Sequence, residues 1–175
     1  MTIIRLWAVL GGDSVGKSTT VGHLAGDFGA SANGLRRGRG GGPRDIPLRG
    51  GGYLNIYPRR QSLQEAGKTP QQAAKEIARE SARVQRRVNI RSGYFNVLLA
   101  IRTDRFHGLQ RADDYLSYFV SQHWQIESLA LLTPDRRDED VYWRFGAPVC
   151  YVYDSNTAYS IVQLVGQVRN HFGWA

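Results

Sequence analysis

Ten residues near the start of the chain, GGDSVGKSTT at Gly11–Thr20, carry the strongest chemical signal. Gly11, Gly16, Lys17 and Ser18 fall at the fixed positions of G-x-x-x-x-G-K-[ST], a spacing suited to a bare phosphate chain. Glycines let the backbone curl, so that successive amides of Gly12, Asp13, Ser14, Val15 and Gly16 point inward at an anion. Lys17 would reach the β- and γ-phosphates, and the Ser18 hydroxyl would ligate Mg²⁺. With Thr19 they open a helix whose positive end faces the same charge. The expected ligands are ATP, or another nucleoside triphosphate, and Mg²⁺.

The flanking residues supply the elements that such a loop needs. IIRLWAVL before it reads as a strand over 3–10, and KSTTVGHLAGDF after it as a helix over 16–28. With that context the segment resembles the Walker A loop of P-loop NTPases. VGKSTT is most similar to the ParA/MinD-type partitioning ATPases, but their extra lysine is replaced here by Gly12. Their acid-ended strand after the first helix is also missing, and neither D-x-x-G nor N-K-x-D of the small GTPases occurs. The likeness covers this stretch and, beyond it, only the superfamily architecture. It implies an α/β three-layer P-loop fold.

The rest of the chain agrees with that architecture. YLNIYP (53–58), YFNVLLAI (94–101), IESLALL (126–132) and PVCYVYD (148–154) read as strands. Helices are expected from Thr69-Pro70 onward, over GLQRADDYLSYFVSQHW, and over SNTAYSIVQLVGQVRNHFG, with a helical turn in TPDRRDEDVYWRFGA. On the Pro70 helix, Ala74, Ile77, Ala78, Ser81, Val84 and Val88 form an apolar stripe, with a basic face opposite. Alternation of these elements predicts a mainly parallel sheet of about five strands with helices on both faces, in one domain over 1–175. Ligands then gather at the carboxyl ends of the strands.

Composition narrows the partners. The net charge of +8 comes from 20 Arg and 3 Lys against 15 acids, which favours a polyanionic partner, a nucleic acid or an acidic protein. A second copy of the chain is a further candidate partner. No apolar run reaches membrane-spanning length, no signal peptide is read at the N-terminus, and the single cysteine, Cys150, excludes an internal disulfide. A cytoplasmic location is expected. Residues 29–52, with nine glycines and five arginines, read as a mobile loop that embraces nucleic acid, covers the nucleotide, or is inert.

Other residues extend the site. Asp104, after VLLAIRT, is the candidate second metal acid and catalytic residue beside Lys17, although Arg102 and Thr103 intervene and Thr103 could act through water instead. Asp13 orients water or faces solvent; solvent is the preferred reading. Arg136 and Arg137 clamp phosphates or pair with neighbouring acids. Asp154 and Asn156 contact the base or cap the last helix. The four histidines show no ligand spacing. The expected function is a slow Mg²⁺-dependent ATPase switch. The alternatives are a small-molecule kinase and a non-catalytic nucleotide-binding scaffold.

Overall fold

The structure, a computed structural model, describes residues 2–26, 42–88, 93–135, 138–153 and 161–175. Its elements run β1 (Ile3–Gly11), α1 (Lys17–Leu24), β2 (Arg44–Pro47), β3 (Tyr53–Arg59), α2 (Pro70–Val88), β4 (Tyr94–Arg102), α3 (Ala112–Ser121), β5 (Gln125–Leu132), α4 (Asp138–Val141), β6 (Val149–Val152) and α5 (Ile161–Phe172), with a 3₁₀ turn at Trp143–Phe145.

One sheet orders the strands β2-β3-β4-β1-β5-β6. Only the β2–β3 pair is antiparallel. Parallel strands joined through helices bury both faces, so β1 and β4 are nearly continuous apolar runs. Alternate residues still part company. Leu6, Ala8 and Leu10 of β1 join the cluster that takes in Ile77 of α2 and Tyr115, Leu116 and Phe119 of α3. Trp7 and Val9 join the opposite cluster, with Val21 and Leu24 of α1 and Leu164, Val165 and Val168 of α5. Helices therefore cover both faces of the sheet. The carboxyl end of β1 lies between its two neighbours: Gly11 pairs in register with Arg102 of β4 and Leu132 of β5.

Among the described residues six strands form the sheet, against the expected five or so, and the extra one lies inside the stretch read as a mobile loop. Arg44–Pro47 is ordered because Ile46, one of few apolar residues there, is buried against Trp174 and its neighbours. The last residues pin it: the Ala175 amide donates to the Pro47 carbonyl at 2.8 Å, and the Arg49 amide to that of Gly173 at 3.2 Å. The remainder of that stretch, up to residue 41, lies outside the described residues.

Thr69 starts α2 as its sequence suggests. Its hydroxyl accepts from the Gln72 amide at 3.3 Å while the Gln72 side chain accepts from the Thr69 amide at 2.9 Å. Ala78, placed on the apolar stripe by spacing, is exposed. The first helix ends at Leu24, short of the expected 28, and α3 begins only at Ala112. His123 falls past the end of α3 in a left-handed conformation (φ 61°), although it lies within the segment read as a helix. Among the described residues, no helix is long and apolar enough to cross a membrane.

Candidate anion-binding site

The segment after β1 turns at Ser14 (φ 54°) and Gly16 (φ 88°), both left-handed. Gly16 is the N-cap of α1 and so has no side chain with which to cap it. The amides of Lys17, Ser18 and Thr19 then have no partner within the helix, and no acidic residue occupies the first turn. Val15 anchors the loop by burying its side chain among Val21, Leu132 and their neighbours. Gly11 is needed for space: a Cβ there would stand 2.9 Å from the Leu132 carbonyl oxygen. The Thr20 hydroxyl donates to the Gly16 carbonyl at 2.9 Å and fixes the turn to the helix.

Lys17 is buried, only 3% exposed, contrary to the exposed position that a loop lysine suggests. Its Nζ donates to the Gly12 carbonyl. Burial holds its pKa below the ordinary lysine value; Glu65 opposes that shift, Arg102 adds to it, and Asp104 and Asp13 oppose it. A desolvated ammonium held by one carbonyl gains when an anion arrives. Ser18 is half-buried and Thr19 exposed.

Asp13 and Asp104 are drawn together by a residue that sequence reasoning passed over. The Arg102 guanidinium, with its side chain 5% exposed, donates from Nη1 to Asp13 at 3.0 Å. From Nε and Nη2 it donates to both oxygens of Asp104, at 3.1 and 2.7 Å. Glu65 lies 3.8 Å from Nη1, and the Phe106 ring 4.4 Å from the guanidinium carbon. Asp13 is exposed, as expected, and also ion-paired. The hydrogen bond from Arg102 holds the Asp104 carboxyl below its usual range. The Gln64 side chain locks the Arg102 backbone, accepting from its amide at 3.1 Å and donating to its carbonyl at 2.9 Å.

A pocket of about 340 Å³ at the same end of the sheet is lined by Thr103, Asp104, Arg105, Arg111, Asp135 and Asp138. Arg111 donates to the Thr103 carbonyl at 3.0 Å and to Asp138 at 3.1 Å. Burial, then the charge of Asp135, push the Asp138 carboxyl up, and Arg111 opposes them. Gln64, Arg111 and Asp138 were missed because their partners lie far along the chain; the one sequence signal was an arginine ending an apolar strand.

Arg136, Arg137, Asp154 and Asn156 lie outside the described residues. Among the described residues, no three His, Cys, Asp or Glu side chains gather as a metal site. His171 serves the core, its Nε2 2.8 Å from the Ser128 hydroxyl and 3.1 Å from the Leu129 carbonyl. A scan against family models and searches of curated proteins and of solved structures find no match to this chain.

Proposed function

We propose that this chain is a P-loop protein that binds the phosphate chain of a nucleoside triphosphate, ATP foremost, at Gly11–Thr19. One observation carries the reading: the buried Lys17 ammonium and the uncapped start of α1 converge at the carboxyl end of a central parallel strand. Backbone amides of Asp13 to Thr19 would hold the phosphate oxygens, and Lys17 would exchange the Gly12 carbonyl for them. Ser18 fits a Mg²⁺ ligand by its place in the first turn, whereas Asp104 fits poorly because Arg102 engages both its oxygens. Mg²⁺, when bound, would spread positive charge over the phosphates. Slow hydrolysis with water as acceptor makes the protein a switch, read by a nucleic acid or acidic protein suited to its net charge of +8. Phosphoryl transfer to a small-molecule hydroxyl is the second reading, favoured by the pocket beside the loop with its carboxylates at Asp104 and Asp138.

Titration of wild type and Lys17→Met with fluorescent ATP, GTP and ADP analogues tests the reading. A charge pair at about 4 Å contributes roughly 4 kcal/mol at an effective dielectric constant of about 20. At about 1.4 kcal/mol per decade, the variant should bind on the order of 100- to 1,000-fold more weakly. Its fold should survive, since the lost ammonium is desolvated. Equal affinity for both proteins would refute the proposal. Phosphate release with and without nucleic acid, or with candidate acceptors, then separates switch from kinase.

A further inference from the structure

We propose that Arg102 fills, at the end of β4, the place a metal-holding acid would otherwise take, and that it withholds Asp104 from the metal. Among the described residues, a divalent cation then reaches this site on the nucleotide's phosphates and Ser18. The inference rests on the phosphate-loop reading and goes beyond it, because it states how that site meets its metal.

The register supplies the first argument. Arg102 lies opposite Gly11, the residue that opens the loop, and β4 contains no acid along YFNVLLAIR. The second is the grip on Asp104. A planar guanidinium matched to both carboxylate oxygens is a strong, directional pair. Phe106 on its face and the Gln64 clamp on its backbone hold it in one position. Mg²⁺ keeps most of its waters and demands octahedral geometry, so taking Asp104 would mean competing with that pair for the carboxylate. The third argument is Asp13. Its carboxylate sits inside the loop itself, where an unpaired negative charge would repel phosphate, and Arg102 cancels it.

The test measures binding of a fluorescent ATP analogue in Mg²⁺ and in EDTA, and expresses metal dependence as the ratio of the two affinities. Asp104→Asn should leave that ratio within about twofold of wild type, since Asp104 holds no metal. Arg102→Met frees three carboxylates beside Lys17: Asp13, Glu65 and Asp104. Its affinity in EDTA should fall about tenfold or more, with most of the loss recovered in Mg²⁺, so the ratio rises. Adding Asp104→Asn to Arg102→Met should bring the ratio back down, which a merely structural loss would not do. Melting curves in Mg²⁺ alone provide a readout without nucleotide: Arg102→Met should gain metal-dependent stability that wild type lacks. A wild type that binds no analogue at all ends the phosphate-loop reading, and the metal-only curves still decide the role of Arg102. The proposal is overturned by a tenfold loss of metal dependence in Asp104→Asn. It is equally overturned by identical metal responses of wild type and Arg102→Met.

Discussion

Replacing Gly11 by alanine should separate close packing from backbone strain within the loop. The new Cβ would lie 2.5 Å from Val15 Cγ2, 2.9 Å from the Leu132 carbonyl oxygen and 3.4 Å from Leu132 Cβ. Val15 is itself buried, and the carbonyl belongs to β5, which is paired on both sides. Relief therefore requires backbone movement between β1 and β5. Overpacking of this kind costs about 1–3 kcal/mol. For a domain of this length each kcal/mol lowers Tm by about 2–4 °C, so the fall should be on the order of 2–12 °C. Two neighbours are internal controls. An alanine at Gly12 meets no atom within 4 Å, and its effect should stay within about 0.5 kcal/mol. An alanine at Gly16 also meets nothing, but φ is 88° there, so strain alone should cost about 1–2 kcal/mol. Thermal melting by circular dichroism, with nucleotide affinity measured alongside, ranks the three. A Gly11→Ala protein as stable as Gly12→Ala would refute the close approach of β1 and β5.

Two further outcomes concern the scaffold. Burial holds the His171 imidazole below its ordinary pKa of 6.5, so the unfolded chain binds this proton more readily than the folded one. Stability should rise with pH between the depressed value and 6.5, and fall as acidification passes 6.5; urea melts of wild type and His171→Gln across that window should show a smaller slope in the variant. Trp174→Ala removes a side chain 1% exposed that packs against Trp7 and Phe172, and should cost about 3–5 kcal/mol by denaturant melting.

Much of the frame was legible because periodicity reports burial. The apolar runs at 94–101 and 126–132 mark strands covered on both faces, and Thr69-Pro70 marks a helix start through local capping chemistry. The loop at Gly11–Ser18 was legible because its glycines and lysine do their work within a few residues of one another. What could not be read depends on contacts across the chain. β2 escaped notice because four residues in a glycine-rich stretch become a strand only when Ile46 meets Trp174. Arg102 escaped because nothing local reveals that Asp13, Glu65 and Asp104 converge on it. The burial of Lys17, whose ammonium donates to the Gly12 carbonyl, escaped because no local pattern reports it.

Gln64 also shapes the margin of β4. β3 stops pairing at Arg59 opposite Leu99, which would leave backbone groups of Ala100 and Arg102, the β4 residues that face that side, unpaired beside the loop. The Leu63 amide donates to the Ala100 carbonyl at 3.3 Å, and the Gln64 carboxamide satisfies both the amide and the carbonyl of Arg102. A side chain thus stands in for a missing strand. An open strand edge is a template to which another chain can add itself. By closing that margin, Gln64 lets the sheet end beside a solvent-facing mouth without offering that mouth as an adhesive edge.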